Sequence, residues 1–515
     1  MYLTQGLHRA VQQQPDEIMT ISGERKRTFR EVAARVGRLA GALRELGVRD
    51  GDRVAMLALN SDRYSEYLLA VPWADAVLNP VNTRWSAAEI AYSLRDSGSR
   101  VLLVDDTFAP LVPELREAFP ELATVIHAGD GAIPEGALGY EDLVAAADPV
   151  QDARRSGSDL AGLFYTGGTT GFPRGVMLSH DNLGVSWLGS AASGALVRPG
   201  SRTLHVAPMF HLADLLSWGC TVLVGGSHVM LPAFDPVAVF SAVAEQRVSC
   251  ALLVPTMIQH LVDHPEVTRY DLTSLQAVLY GASPIAQAVL ERAMKALPSA
   301  SFTQAYGMTE LSPVATLLSP ADHEAGDALR SAGRAAPHAE VRVVDPDGAE
   351  VPAGTVGEIV VRGGHVMLGY WNKPQETATA VRDGWMHTGD GGYLDERGYL
   401  YVVDRLKDMI ISGAENVYSA EVENAIASHP AVAQCAVIGV PDPDWGERVH
   451  AVVVVRPGAT VTLAELRDHV KTRIAGYKTP RSLDIADALP VSGTGKVLKR
   501  ELRKRHWTDL DHQVH

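Results

Sequence analysis

The chain has 515 residues, more than one hydrophobic core usually supports, so its length predicts two to four domains. Its composition, 46% hydrophobic and 21% charged, is typical of a soluble globular protein. The net charge of −15 argues against nucleic acid as a main partner, because polyanions bind clustered basic surface. The basic run at 496–505 is an exception, and we expect it to form a solvated C-terminal helix carrying one functional lysine.

The cysteines and the apolar segments indicate in which cellular compartment the protein is expected. Cys220, Cys250 and Cys435 lie far apart and show no CxxC spacing. They indicate a reducing compartment, with neither a disulfide framework nor a cysteine metal site. No signal peptide is visible, and the most apolar window, 215–224, is too short to span a bilayer. We therefore expect a soluble cytoplasmic protein.

The first 150 residues alternate between helical and strand patterns. Thr28 and Glu31 predict a capping box, and apolar residues recur at helical spacing from there to Gly47. Short apolar runs that predict strands follow at 53–59, 100–104 and 123–127. Strands that alternate with helices favour parallel sheets covered on both faces, so the pattern predicts an α/β fold.

A loop rich in glycine and threonine follows an apolar run at 160–165 that predicts a strand. It contains Thr166, Gly167, Gly168, Thr169, Thr170, Gly171, Phe172, Pro173, Arg174 and Gly175. Glycines let backbone N–H groups approach an anion, threonines add hydroxyl donors, and Arg174 adds a fixed positive charge. The segment is either a phosphate cradle or a flexible surface loop. It is not a Walker A loop, because no Gly-Lys-Ser/Thr closes it.

This loop resembles the phosphate-binding signature of the adenylate-forming superfamily, Thr-Ser-Gly-Thr-Thr-Gly-x-Pro-Lys-Gly. That superfamily includes acyl-CoA synthetases, peptide-synthetase adenylation domains and beetle luciferases. Here Gly167 replaces the serine and Arg174 the lysine. Five more motifs follow in family order, and together the matches span about 165–500. The resemblance implies that the loop binds the β- and γ-phosphates of ATP and that Thr170 is catalytic.

Two motifs downstream are expected to border the acyl and adenine pockets. The segment 204–211 resembles a family stretch ending in Pro-x-Phe-His, whose histidine lies near the carboxylate end of the acyl pocket. His211 is therefore a candidate site residue, and the alternative is a hydrogen-bonded core histidine. The segment 277–284 resembles the strand and turn that flank adenine, with the candidates Gly281, Ala282 and Ser283.

The segment 304–310, Gln-Ala-Tyr-Gly-Met-Thr-Glu, is a closer match to the family. The resemblance implies that adenine stacks on Tyr306 beside Gly307, and that the Thr309 hydroxyl contacts the α-phosphate. Glu310 offers the hard carboxylate that Mg²⁺ prefers, so it is a candidate catalytic residue and metal ligand. The alternative is an ordinary turn with a solvated glutamate.

A change of pattern near residue 341 predicts a small antiparallel subdomain at about 330–403. Its expected strands lie at 341–344, 357–362 and 399–403. Within it, Gly-Trp-Met-His-Thr-Gly-Asp ends at Asp390 and resembles the family's ribose motif. A carboxylate accepts two hydrogen bonds from a vicinal diol, so the residue type suits that task.

Residues 404–418 resemble the family's hinge and the loop after it. The resemblance makes Asp404 the hinge of a mobile lid, Arg405 a ribose ligand and Gly413 a lining residue of the thiol path. Ala414 stands where the family usually has a second glycine, and Ser419 where it has proline. Because of these two departures, the resemblance does not determine the shape of the acceptor tunnel.

The remainder of the chain mixes a predicted helix at 421–428 with strands at 433–439 and 449–455, as a small α+β lid does. Near its end, Pro-Val-Ser-Gly-Thr-Gly-Lys resembles the family's catalytic lysine loop and identifies Lys496.

These motifs predict an α/β protein divided at 1–403 and 404–515. The N-terminal domain would consist of covered β-sheets plus the small antiparallel subdomain, and the mobile α+β lid would follow. The resemblance implies ATP- and Mg²⁺-dependent conversion of a carboxylic acid to acyl-AMP, then to a coenzyme A thioester. The candidate catalytic residues are Lys496, Thr170, Glu310 and His211.

Other functions stay open at this point. The acceptor could be an amine, as in an amide-bond synthetase, or a carrier-protein thiol. A non-catalytic nucleotide sensor is a more distant alternative, and the presence of Glu310, Asp390, Asp404, Arg405 and Lys496 together argues against it. Medium-chain and aromatic acids are the default substrate classes.

Overall fold

The computed structural model describes residues 1–166, 173–283, 285–405, 408–412, 415–442, 445–492 and 497–507. At positions 405, 411, 415 and 416 it describes the backbone alone.

Strands and helices are numbered in chain order. The first strands are β1 (Ile18–Ser22), β2 (Arg25–Thr28), β3 (Arg53–Leu57), β4 (Val77–Pro80), β5 (Val101–Val104), β6 (Thr124–His127), β7 (Leu138–Gly139), β8 (Leu160–Thr166), β9 (Arg174–Ser179), β10 (Arg202–His205) and β11 (Ser227–Met230). The next strands are β12 (Cys250–Leu253), β13 (Ala277–Gly281), β14 (Ser301–Tyr306), β15 (Thr316–Leu318), β16 (Arg334–Ala335), β17 (Glu340–Val344), β18 (Gly357–Arg362), β19 (Gly369–Tyr370), β20 (Val381–Arg382), β21 (Trp385–Leu394) and β22 (Leu400–Arg405). The final strands are β23 (Ile410–Ser412), β24 (Glu415–Val417), β25 (Val432–Asp442), β26 (Gly446–Val455) and β27 (Ser482–Ile485).

The helices alternate with these strands. They are α1 (Gln5–Gln13), α2 (Phe29–Glu45), α3 (Asp62–Trp73), α4 (Ala87–Ser97), α5 (Val112–Ala118), α6 (Tyr140–Ala146), α7 (His180–Ala192), α8 (Leu212–Val224), α9 (Pro236–Gln246), α10 (Pro255–Val262), α11 (Gln287–Ala296), α12 (Pro320–Ala325), α13 (Pro374–Ala380), α14 (Ser419–Ala427), α15 (Leu463–Lys471) and α16 (Lys499–Arg503). The predicted capping box of α2 is confirmed, because the Thr28 and Glu31 side chains each accept a hydrogen bond from the other residue's backbone N–H. Within the described part of the chain, no helix is long and apolar enough to cross a membrane.

An eight-stranded sheet, β19-β9-β8-β4-β3-β5-β6-β7, forms the first core. Its central strands β3, β4 and β5 are parallel. One face packs on α2 and α3, where Leu39 and Leu68 lie in one core cluster with Val54. The other face packs on α4, where Ile90 clusters with Leu102. The predicted parallel sheet covered on both faces is therefore confirmed.

The ends of the predicted phosphate loop meet at one edge of this sheet. Strands β8 and β9 are antiparallel, and Thr166 is the register partner of Arg174. The pairing sets the two expected phosphate ligands side by side.

A nine-stranded sheet, β16-β15-β14-β13-β12-β10-β11-β1-β2, forms the second core. Its strands β13 and β14 are parallel, with Gly281 paired to Ala305. A Cβ on Gly281 would lie 2.2 Å from the Ala305 carbonyl oxygen, so only glycine fits there. Ala282 and Tyr306 follow at the carboxyl ends of these strands, where ligands of α/β sheets usually bind.

The predicted small antiparallel sheet is confirmed as β17-β18-β21-β20, with β22 paired to β21. Asp390 on β21 is the register partner of Arg405, and Gly391 that of Asp404. Strand β22 therefore continues through the predicted hinge position to Arg405.

The C-terminal sheet is β24-β23-β26-β25, with β27 parallel to β26. Helices α14 and α15 pack on one face through Val422 and Leu466. Helix α16 packs through Leu502 against Val452 in a separate cluster. The predicted α+β composition is confirmed, and α14 begins at Ser419 rather than at residue 421.

Candidate active site

A cavity of about 2020 Å³ is lined by residues of all four sheets. It brings together the predicted site residues Thr166, Arg174, His211, Gly281, Ala282, Ser283, Tyr306, Gly307, Thr309, Glu310, Asp390 and Asp404. The predicted residues Gly167, Gly168, Thr169, Thr170, Gly171, Gly413 and Lys496 lie outside the described residues, and the side chain of Arg405 is not described.

The expected ribose carboxylate is held by the expected adenine-stacking tyrosine. The Tyr306 hydroxyl donates to Asp390 Oδ2 at 2.8 Å, and Asp390 is 8% exposed. A carboxylate has about four lone-pair positions and can accept several hydrogen bonds at once, as binding a diol requires. The contact ties the Tyr306 side chain to the carboxylate.

Glu310 and Arg174 are joined through a tyrosine that the sequence motifs did not indicate. The Tyr370 hydroxyl donates to Glu310 Oε1 at 2.8 Å. Burial and the nearby Glu310 carboxylate raise the pKa of Tyr370, so its hydroxyl keeps its proton and remains a donor. The Arg174 guanidinium lies 4.4 Å from the centroid of the Tyr370 ring and donates to Glu376 at 3.0 Å.

This group of residues fits an anionic ligand and its cation. The buried Nε of Arg174 has no hydrogen-bond partner among the described atoms, so a donor remains available for an oxyanion. Glu310 is 4% exposed, and Tyr370 orients one of its two oxygens. Mg²⁺ takes few protein ligands and prefers carboxylate oxygen, so the donor set at Glu310 suits it.

His211 occupies the N-cap position of α8, without a side-chain capping hydrogen bond, and borders the apolar part of the cavity. Burial, with a smaller effect from the nearby Arg84 guanidinium, lowers its pKa to about 4. The imidazole is therefore neutral near pH 7. Apolar side chains extend the wall next to it: Leu212, Ala213, Leu216, Leu252, Val254 and Leu279.

Arg84 contacts a residue next to the predicted lysine loop. Its Nη1 donates to the Ser492 carbonyl oxygen at 3.2 Å. Val491 and Val497, on either side of that loop, form an antiparallel bridge. The contact ties the C-terminal region to the cavity wall next to His211.

Asp404 belongs to a buried hydrogen-bonded group, which we call the hinge network: Asp404, Ser419, Glu423 and Lys499. Asp404 Oδ2 accepts from the Ser419 backbone N–H at 2.6 Å and from its hydroxyl at 2.5 Å. The Lys499 ammonium donates to Ser419 Oγ at 2.5 Å and pairs with Glu423 at 2.8 Å. The network therefore joins β22, α14 and α16.

The basic run at 496–505 differs from the expected solvated helix. Its helical part, α16, is short, and the side chains of Lys499 and Arg503 are only 15% and 19% exposed. Each pairs with a carboxylate, Lys499 with Glu423 and Arg503 with Asp408 at 2.7 Å. Charge alone could not reveal this, because the acidic partners are distant in sequence.

Comparisons with known proteins agree with this architecture. The family model "AMP-binding enzyme" matches residues 7–371, and "AMP-binding enzyme C-terminal domain" matches residues 421–496. A feruloyl-CoA synthase from an Amycolatopsis species is 43% identical over 484 residues, which cover 93% of this chain and 94% of that protein.

Two solved structures are similar over nearly the whole chain. ATP-bound MatB from Rhodopseudomonas palustris has a TM-score of 0.88 at 32% identity, covering 98% of this chain and 99% of that one. The amide bond synthetase McbA from Marinactinospora thermotolerans has a TM-score of 0.87 at 31% identity, covering 97% and 99%. The chain therefore belongs to the AMP-binding enzyme family, within the adenylate-forming superfamily that its motifs predicted.

Proposed function

We propose that this chain is an AMP-forming acid–CoA ligase that activates an apolar, aromatic carboxylic acid. One observation supports this most: the cavity combines an apolar wall next to His211 with the predicted ATP ligands Arg174, Tyr306, Glu310 and Asp390. An acid that lies along the wall would direct its carboxylate toward the position expected for the α-phosphate. The proposed domains are 1–403 and 404–515.

In the first proposed step, a carboxylate oxygen of the acid attacks the α-phosphorus of ATP and pyrophosphate leaves. Tyr306 and Asp390 would hold the adenosine, while Arg174 and the loop 166–175 would bind the departing phosphates. Lys496 would bridge the substrate carboxylate and the α-phosphate, where negative charge develops. Mg²⁺ held at Glu310 would neutralise phosphate charge. Catalysis of this kind relies on positioning rather than on a covalent enzyme intermediate.

In the second proposed step, the thiol sulfur of coenzyme A attacks the acyl carbon, and AMP leaves with the bridging oxygen. We propose that the lid turns about Asp404 between the steps, which withdraws Lys496 and opens the thiol path past Gly413. Hinge motions that rebuild a site are an established kind of gating.

The side chains of the cavity wall and the names of similar proteins both support an aromatic substrate. Helix α10 contributes Thr256 and Gln259 to the cavity, among the apolar side chains of β12 and α8. Polar groups on an apolar wall suit a ring carrying hydroxyl or methoxy substituents. The 43% identical relative is a feruloyl-CoA synthase, which makes hydroxycinnamic acids the first substrates to test.

The second candidate is amide-bond formation. It is favoured by the similarity to the amide bond synthetase McbA, whose acceptor is an amine by its name. An amine that reached the adenylate through the acyl pocket would not need the thiol path, so Gly413→Leu would leave amide formation intact. It would abolish thioester formation.

A panel of carboxylic acids scored for pyrophosphate release tests the proposal. The panel should include ferulate, phenylacetate, octanoate and malonate, each without acceptor, with coenzyme A and with a simple amine. We expect the highest release with ferulate and coenzyme A, and a thioester as product. Lys496→Ala serves as the matched inactive control. Amide yields equal to or above thioester yields would contradict coenzyme A as the acceptor. Preference for malonate would contradict an aromatic acid as the substrate.

A further inference from the structure

Three metal-ligating side chains converge on the C-terminal sheet, outside the residues that line the active-site cavity. They are His450, Asp484 and His506, and their ligand atoms all lie within 4.8 Å of one another. Neither the sequence motifs nor the proposed ligase reaction uses any of the three.

Strand pairing places two of these side chains on one face of the sheet. Strands β26 and β27 are parallel, and His450 is the register partner of Ser482, two residues before Asp484. Alternate residues of a strand share a face, so the His450 and Asp484 side chains point the same way. His450 Nε2 lies 3.4 Å from Asp484 Oδ2.

His506 reaches the same carboxylate from the segment after α16. Its Nε2 lies 3.7 Å from Asp484 Oδ2, and the His450 and His506 ring centroids are 4.6 Å apart. The next residue is anchored, because the Trp507 indole N–H donates to the Gly439 carbonyl oxygen at 3.1 Å. The position of His506 is therefore tied to the sheet.

A buried nitrogen of His450 lies near the Asp484 carboxylate without a hydrogen bond to it. His450 is 2% exposed, and its Nε2 makes no hydrogen bond with a described atom. Its other nitrogen, Nδ1, is hydrogen-bonded to Ser482 Oγ at 2.7 Å, and Ser482 also accepts from Arg448 at 3.3 Å. Metal-bound histidines typically have their second nitrogen held in this way, which fixes the direction of the first.

We propose that His450, Asp484 and His506 form a binding site for a divalent transition-metal ion of the zinc type. Two atoms on a tetrahedral ion with bonds of about 2.0–2.2 Å are about 3.3–3.6 Å apart. The distances of 3.4 and 3.7 Å from Asp484 Oδ2 to the two imidazole nitrogens lie close to that range. Asp484 is 53% exposed, so water can supply the fourth ligand.

The ligand types distinguish this ion from the Mg²⁺ proposed at Glu310. Imidazole nitrogen suits zinc, cobalt and nickel, whereas Mg²⁺ takes oxygen ligands. A bound ion would tie His506 to β26 and β27, and α16 begins three residues after Lys496. The site would therefore stabilise the segment that follows the catalytic-lysine loop, without taking part in adenylation.

Cobalt titration of the full-length, metal-stripped protein tests the proposal, with visible d–d absorption as the readout. We expect one equivalent of Co²⁺ to bind with an absorption band typical of tetrahedral N/O ligation, and Zn²⁺ to displace it and raise the Tm. Asp484→Asn and His506→Gln change exposed or partly exposed side chains, so both variants should fold. Each should weaken Co²⁺ binding at least about tenfold, the loss common even for outer ligand partners.

His469→Gln is the matched control. His469 pairs with His429 on another part of the same C-terminal region, with ring centroids 4.8 Å apart. We expect this variant to bind Co²⁺ like the unmodified chain. Absence of the cobalt band, or equal binding by Asp484→Asn, His506→Gln and the unmodified protein, would overturn the proposal. Because the readout is metal binding, its failure would leave the proposed ligase activity untouched.

Discussion

The contact between Ser419 and Asp404 can be weakened in two steps, which tests the proposed role of Asp404 as the hinge. Position 419 carries proline in the family pattern, and here a serine donates to the Asp404 carboxylate through both its N–H and its hydroxyl. Ser419→Pro removes both donors, whereas Ser419→Ala removes the hydroxyl alone. The two variants therefore weaken the contact with Asp404 in steps, and both also remove the Ser419 acceptor of Lys499.

Proline fits the backbone at this position. Ser419 is the first residue of α14, where proline is common because its missing N–H has no helical partner. Tyr418 has φ −85° and ψ 119°, the extended conformation that a residue before proline prefers. We therefore expect Ser419→Pro to fold, so that its effect reports on Asp404.

The expected magnitude follows from the two hydrogen bonds. A hydrogen bond to a charged group contributes about 1.5–3 kcal/mol, and about 1.4 kcal/mol corresponds to a factor of ten. In the observed arrangement Ser492, next to the predicted lysine loop, contacts Arg84, so we expect the hinge network to support the conformation used for acyl-AMP formation. At the low end of the range, Ser419→Ala should slow acyl-AMP formation about tenfold and Ser419→Pro about 100-fold.

Single-turnover assays of the two half-reactions measure these rate losses. Pyrophosphate release reports acyl-AMP formation, and thioester formation from supplied acyl-AMP reports the second step, which should be nearly unchanged. Ser428→Ala is the matched control, because Ser428 lies just after α14 and its hydroxyl contacts Ala425 and His469, away from the hinge network. Equal losses in both half-reactions, or no difference between the alanine and proline variants, would refute the reasoning.

Three other predictions concern single side chains of the cavity. Arg84→Ala loses one exposed hydrogen bond to Ser492, so it should slow acyl-AMP formation by about two- to tenfold and leave the second step unchanged. A loss in the second step alone would contradict this. Tyr306→Phe removes the donor to Asp390 while keeping the ring, so KM for ATP should rise about two- to tenfold. An unchanged KM would show that the hydrogen bond to Asp390 does not contribute to ATP binding. His211 has its pKa lowered to about 4, so its NMR signal, assigned with His211→Gln, should not titrate between pH 6 and 8. The part of the stability that depends on His211 should fall as the pH drops from about 6.5 toward 4, and a midpoint near 6.5 would be inconsistent with its burial.

Local motifs made much of the site predictable. Thr166 and Arg174 lie at the two ends of one glycine-rich loop, and the strands around that loop bring them together as a hairpin does. Gly281 and Tyr306 each belong to a sequence motif, and the parallel pairing of β13 and β14 sets the two motifs at the same edge of the sheet. In each case the positions of the residues along the chain indicate that the residues lie close together.

Contacts between distant segments were not predictable in this way. Arg84 and Ser492 are 408 residues apart, and although Ser492 belongs to the predicted lysine-loop motif, Arg84 belongs to none. Lys499 lies in a basic run whose composition suggested a solvated surface, yet its side chain is only 15% exposed and pairs with Glu423. Such pairs depend on how helices pack on a sheet, and a periodic pattern does not specify which side chains then meet.

The central claim is that the acid is activated as an acyl-AMP, and oxygen labelling tests it most directly. The acid is prepared with ¹⁸O in both carboxylate oxygens and incubated with ATP, Mg²⁺ and coenzyme A, and the products are analysed by mass spectrometry. Attack of the carboxylate on the α-phosphorus transfers one labelled oxygen to AMP and leaves the other in the thioester. We predict one ¹⁸O in AMP and none in pyrophosphate. Unlabelled AMP, or label in inorganic phosphate alongside ADP, would contradict the account.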